Sequence, residues 1–272
     1  MRTRRYVPRA PLSAFVHCFW YAEGTQQPHS KEKLLPNGEP SLVFNLRDDA
    51  IRLYDPHDLN RRTTYNGAIL SGARSDCFVI DTDQQERVAG IQFRPGGAFP
   101  FFRVPASETE GLTVNLGDLW LGRAAELRER LLAAVTVESM FATLERFLME
   151  QLVRPPELRP AVHYALERFQ QPGYAGRVDT VIGKTGLSSR RFVELFHREV
   201  GLTPKVFCRV RRFQHVLQTV HLRSDIDWAR VAVECGYYDQ AHFIHDFRSF
   251  SGLTPRAYLA AATPHLNHVP LI

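Results

Sequence analysis

With 272 residues, 44% hydrophobic and 23% charged, the chain has the composition of a globular protein of two modest domains, which argues against disorder and against a membrane-embedded protein. Its formal net charge of +5 is unevenly spread: residues 1–159 carry 20 basic and 20 acidic side chains, so the whole excess lies in residues 160–272. A basic domain beside a neutral one is the footprint of a nucleic-acid binder, because counterion release from phosphates supplies affinity without regard to sequence.

Arg2, Arg4 and Arg5 read as a flexible arm, and the apolar stretch from Phe15 to Tyr21 lacks the long uninterrupted core and cleavage site of a signal peptide. Up to Pro95 the apolar residues come in short runs separated by turn chemistry: residues 41–46 after Pro36-Asn37-Gly38, residues 77–80, and residues 88–93 before Pro95-Gly96-Gly97. These predict strands. From about 116 to 153 the spacing becomes helical, with Leu127, Leu131, Leu132 and Val135, then Met140, Phe141, Leu144, Phe147, Leu148 and Leu152, as a helical hairpin. Its buried face can serve as a dimer surface or as a cap on the β domain. Three prolines within residues 154–160 predict a linker. Helical pattern then runs through 161–262, and residues 263–272 read as a tail. The expected fold class is α+β and multidomain: a β-rich domain with its hairpin in 1–153, then an all-α domain.

The most informative feature is an internal repeat. Gly201-Leu202-Thr203-Pro204 recurs as Gly252-Leu253-Thr254-Pro255, and Phe192 and Phe196 recur as Phe243 and Phe247 at the same offset. Each copy meets the needs of a helix-turn-helix, over about 178–199 and 228–250. In the first, Val178, Val181 and Ile182 pack, Gly186 turns and Ser188 caps the next helix. Trp228, Val231 and Ala232, then Cys235-Gly236, then Asp239 take those roles in the second. Outward positions are Ser189, Arg190, Val193, Glu194, His197 and Arg198 in one, and Gln240, Ala241, His242, His245, Arg248 and Ser249 in the other. A helix from Pro204 to about Val220 joins the units and carries Lys205, Arg209, Arg211 and Arg212. If both recognition helices enter successive major grooves, they stand roughly 34 Å apart.

Two such units, joined by a long helix and each closed by Gly-hydrophobic-Thr-Pro, resemble the DNA-binding domain of the AraC/XylS transcription regulators. The stretch from Ala232 to Arg248 is similar to the most diagnostic part of that family. The resemblance implies a sequence-specific DNA-binding transcription regulator. It places base-reading residues at Arg190, Val193 and Glu194 and at Gln240, Ala241, His242 and His245. Arg190 suits guanine, Gln240 adenine and Glu194 cytosine; Val193 departs from the polar residue often found there and suits a thymine methyl or packing. Ser189, Lys205, Arg209, Arg212 and Arg248 are the candidates for phosphate contacts, which position without specifying. Leu35-Pro36-Asn37-Gly38 and residues 93–98 resemble a poorly characterised sensor-type domain, which implies a small-molecule effector or a dimerisation role.

Implied partners are double-stranded promoter DNA, a small-molecule effector, RNA polymerase if the protein activates, and a second copy of the chain, in a cytoplasmic setting. No cofactor is expected: Pro95-Gly96-Gly97 lacks the following Lys-Ser/Thr of a nucleotide loop. His242 and His245, and His265 and His268, stand at metal-like spacing without a completing ligand set, and Asp246 is expected to point off the His242 face. Cys18, Cys77, Cys208 and Cys235 form no C-x-x-C pair and read as core thiols. Two alternatives remain beside the effector-responsive regulator. One is a constitutive DNA binder whose first domain only dimerises. The other is an enzyme domain fused to a DNA-binding module, for which residues 1–110 offer no evident nucleophile–base pair or metal triad.

Overall fold

Short apolar runs in the first half of the chain pair into two antiparallel sheets in the computed structural model, which describes residues 2–24, 30–152, 158–171, 174, 176–221, 223 and 225–271. The strands are β1 (Arg2–Tyr6), β2 (Val16–Glu23), β3 (Lys31–Leu34), β4 (Ser41–Asn45), β5 (Ile51–Tyr54), β6 (Arg62–Tyr65), β7 (Ala68–Ser71), β8 (Phe78–Asp81), β9 (Arg87–Phe93), β10 (Thr113–Asn115) and β11 (His268–Leu271). One sheet runs β1-β2-β9-β4-β7-β10, the other β11-β3-β8-β5-β6. The residues read as an arginine-rich arm are therefore a strand, paired with β2 from Arg2↔Glu23 to Tyr6↔Phe19. Arginines on an exposed edge strand are compatible with pairing on one side and discourage it on the other.

The helices after this region are α1 (Leu116–Trp120), α2 (Gly122–Leu132) and α3 (Val137–Glu150). Leu127, Leu131, Met140, Phe141, Leu144, Phe147 and Leu148 share one core with Phe19, Leu42, Phe44, Ile91 and Phe93 of the first sheet. Their apolar face is thus the cap on the sheet. Val135, read as part of that stripe, is 96% exposed: α2 ends at Leu132, and Val135 falls in the turn before Thr136, whose side chain caps α3.

Of the expected linker at 154–160, residues 154–157 lie outside the described residues, and Pro160 already begins α4 (Pro160–Phe169). Then come α5 (Val178–Gly183), α6 (Ser189–Val200), α7 (Pro204–Val220), α8 (Trp228–Glu234), α9 (Gln240–Ser251) and α10 (Pro255–Ala260). Two aromatic-rich cores form here. One gathers Val162, Phe169, Ile182, Phe192, Phe196 and Phe207; the other gathers Phe213, Leu217, Val231, Phe243, Phe247 and Tyr258. Helix α7 contributes to both, so it carries one helical unit on each half of its length.

The residues read as a tail return to the first domain. β11 adds to β3 from His268↔Leu34 to Leu271↔Lys31, and Val269 is buried in the second helical core together with Leu35. The last helical unit is consequently tied to the β-rich domain by a strand as well as by side chains.

Candidate nucleic-acid interface

The repeated Gly-Leu-Thr-Pro has a structural meaning residue by residue. Gly201 ends α6 at φ +90° and Gly252 ends α9 at φ +69°, the left-handed conformation in which a glycine closes a helix at no steric cost. Leu202 is fully buried. Thr203 and Thr254 then cap α7 and α10 through their side chains, and Pro204 and Pro255 occupy the first turn, where a missing N–H is harmless. At the other end of each recognition helix, Ser188 accepts from Arg191 N at 3.3 Å and Asp239 accepts from His242 N at 2.7 Å. Both recognition helices are thereby fixed at their two ends by local chemistry.

On α6 the surface left free holds Ser189, Arg190 and Glu194, with Val193 half-buried. The Arg190 side chain is 91% exposed and its Nε donates to Glu194 Oε1 at 3.0 Å, with Arg191 3.6 Å from the same carboxylate. The hydrogen bond and charge of Arg190 hold the Glu194 carboxyl below its usual range. An exposed i, i+4 pair of this kind is worth little in water, so base edges can compete for both groups. His197, expected to face outward, is instead held by the first domain: its Nε2 lies 2.7 Å from Glu110 Oε2.

On α9, Gln240, Ala241, His245 and Arg248 are exposed and His242 is half-buried. Asp246 corrects the sequence reading. It is buried, its carboxylate stands 3.8 Å from His242 Nε2, and it accepts from Arg209 Nη2 at 2.7 Å. Arg209 also stacks on Phe250, while Arg212 donates to Gly236 O at 3.1 Å and lies over the Tyr237 ring. The two arginines expected at phosphates are therefore spent on fixing α9 and the α8–α9 turn to α7. Lys205 and Arg248 remain exposed, as does Ser189 at the first turn of α6. Among the described residues no group of three or more His, Cys, Asp or Glu side chains could hold a metal ion, and no helix is long and apolar enough to cross a membrane.

The β-rich domain holds both helical units, a feature that sequence spacing could not display. Toward the second unit, Lys33 Nζ donates to Ser251 O at 3.2 Å at the end of α9, and Gln214 of α7 donates to Pro36 O at 2.8 Å and Asn267 Oδ1 at 2.9 Å. Gly38, at φ +75°, brings its turn so close to α7 that an added Cβ would lie 3.3 Å from Val210 Cγ1. Toward the first unit, the segment Ala106–Thr109 and Glu110 meet α6. Glu39 links the domain to the middle of α7 through Arg211 at 3.7 Å, and burial pushes its carboxyl up to about 7 against the pull of Arg211 and Arg94.

Two family models match the chain. Residues 182–261 match a helix-turn-helix domain, and residues 4–115 match a domain of unknown function, DUF6597. No curated protein sequence matches. Among solved structures, ToxT of Vibrio cholerae with a bound unsaturated fatty acid is similar at 11% identity and a TM-score of 0.49, over 91% of this chain and 96% of that one. A second ToxT crystal form gives 12% identity and 0.47, over 90% and 98%. The C-terminal domain of AraT, a response regulator of Geobacillus stearothermophilus, gives 17% and 0.37, over 40% of this chain and 91% of that one. These likenesses are loose, and the weight falls on the helix-turn-helix match together with the duplicated, doubly capped geometry. The chain thus carries an AraC-type helix-turn-helix domain in its C-terminal third, preceded by a domain of unknown function.

Proposed function

We propose that the protein reads promoter DNA with α6 and α9 in successive major grooves and that its β-rich domain sets the readiness of those helices in response to a small molecule. The observation that carries this reading is the double attachment of the β-rich domain, which holds α6 through Glu110 and the end of α9 through Lys33. Anything that alters the first domain alters the relative placement of the two recognition helices. Arg190, Val193 and Glu194 read bases in one half-site, and Gln240, Ala241, His242 and His245 in the other; Ser189, Lys205 and Arg248 hold phosphates. The second copy of the chain and RNA polymerase are partners under this reading.

A mobility-shift assay on promoter fragments at two salt concentrations tests the DNA half. One preferred sequence and an affinity that falls steeply with salt are expected; equal affinity for every fragment would defeat the claim of specificity. Thermal-shift screening of the full chain against small molecules tests the sensor half. A compound that stabilises without turnover and changes promoter affinity supports a sensor. Stabilisation by none, with promoter affinity intact, supports the constitutive reading.

A further inference from the structure

The two helix-turn-helix units differ at the position just before the cap of each recognition helix. In the first unit that residue is Leu187, half-buried and packed on the helical core that holds Ile182 and Phe192. Its counterpart in the second, just before Asp239, is Tyr238, which is 89% exposed. The chain on both sides of Tyr238 is nevertheless fixed. Gly236 turns at φ +79°, and its carbonyl accepts from Arg212 Nη1 at 3.1 Å. Tyr237 is buried with its ring edge-on to Phe243 and the Arg212 guanidinium over it. On the other side the Asp239 carboxylate accepts from His242 N at 2.7 Å. A large ring held out by a rigid turn gains nothing from burial in the free chain, and it can meet a partner with little further loss of backbone freedom.

Its place indicates the partner. The first residues of a recognition helix are those that reach base edges in a major groove, and Tyr238 is followed after its neighbouring cap by the exposed Gln240 and Ala241. Phosphate is a poor match, because no cation lies among residues 233–239. The exposed side chains there are Val233, Glu234, Tyr238 and Asp239. Glu234 is paired with Arg230 at 2.7 Å, and the Asp239 carboxylate is occupied at the helix end. An aromatic ring in acidic and apolar surroundings suits instead the apolar feature of the major groove, the C5 methyl group of thymine. We propose that Tyr238 is a further specificity-determining residue, its ring packing on a thymine methyl beside the base pair met by Gln240. The first unit has no equivalent, since Leu187 is turned to its own core. This contact rests on the reading given above, in which α9 enters a major groove.

The test starts from the DNA site preferred by the wild-type full-length protein. Each thymine of that site is replaced in turn by deoxyuridine, which lacks only the methyl group, and binding of wild type, Tyr238→Ala and Tyr238→Phe is compared. At one position the replacement should weaken the wild type about fourfold, the value of one buried methyl group. The same replacement should leave Tyr238→Ala unaffected. Tyr238→Ala should bind the unmodified site about tenfold less tightly, whereas Tyr238→Phe, which keeps the ring, should retain both the affinity and the deoxyuridine effect. Both variants should melt with the wild type, because the side chain is exposed. A loss in Tyr238→Ala that is equal for all sequences, or one matched by Tyr238→Phe, would assign the contact to the sugar–phosphate backbone or the hydroxyl. Unchanged affinity for every site would remove Tyr238 from the DNA interface. Each of these results overturns the proposal and leaves the DNA-binding reading intact, whereas a wild-type protein without a preferred site overturns both.

Discussion

Arginines in the helical domain divide into those that hold the protein together and those free to meet DNA, and the division decides what each substitution should do. Arg190 is almost fully exposed and, among the described residues, pairs with Glu194 on its own helix, so Arg190→Ala should leave stability nearly unchanged. It should remove discrimination at one base pair by about 1–3 kcal/mol. Arg248→Ala should instead weaken all sequences alike and lower the salt slope by about one; competition binding against single-base variants of the preferred site, at several salt concentrations, separates the two. Asp246 belongs to the other class. Its carboxylate is the shared partner of Arg209, Arg212 and His242, and Asp246→Ala leaves the two guanidinium groups facing one another. The expected loss is about 3 kcal/mol in chemical denaturation, with part recovered in Asp246→Ala/Arg209→Met; a loss below about 1 kcal/mol would show that the cluster is dispensable. Nothing in the sequence distinguishes Arg209 from Lys205 as a phosphate ligand, because both sit on one basic helix. The distinction comes from a partner 37 residues away, brought near by the turn between α8 and α9.

Among the elements, the most legible were those whose ends are fixed by local chemistry. Gly-Leu-Thr-Pro announces the end of one helix and the start of the next because all four roles are discharged within a few residues. β6, by contrast, has the sequence Arg-Thr-Thr-Tyr and owes its place to pairing with β5, so no apolar alternation marks it. β11 likewise carries no signal that its partner lies in β3. The left-handed glycines give an ordered set of predictions. A Cβ at Gly186 meets nothing within 4 Å, so Gly186→Ala should cost only the conformational penalty, about 1 kcal/mol. At Gly252 it meets the flexible Lys33 Nζ at 3.1 Å, and the cost should be similar or slightly larger. At Gly201 it meets Ala73 Cβ at 3.1 Å and the Ala106 carbonyl at 3.2 Å, both on the β-rich domain, so Gly201→Ala should be the most damaging of the three. Equal losses at all three positions in denaturant melts would mean that the contact between α6 and the first domain yields without resistance.

At the scale of the molecule, the charge asymmetry in the sequence pointed correctly to the domain that meets DNA, but it gave no sign that a half-buried acid stands where the two domains meet. Glu39 occupies that position, on Arg211 of α7 and near Arg94, with its amide partner Gln92 at 3.4 Å. Its carboxyl titrates at about 7 in the folded chain, against an ordinary value of 4.5. Between those values the folded protein binds a proton that the unfolded chain has released, so unfolding free energy falls as pH rises through this window and levels off above it. The change is about 3 kcal/mol. His17 acts in the opposite sense: burial first, then Arg94, Arg5 and Arg211, hold its pKa below the ordinary value. The unfolded chain therefore takes up that proton more readily, and stability owed to His17 grows as pH rises toward 6.5. Comparing wild type with Glu39→Gln isolates the carboxyl, because the His17 contribution is present in both. The two proteins should be nearly equally stable at pH 4, and the wild type should be the weaker by about 3 kcal/mol at pH 8. Parallel denaturation profiles across that range would mean that Glu39 titrates as an ordinary surface acid and that water reaches the junction of the two domains.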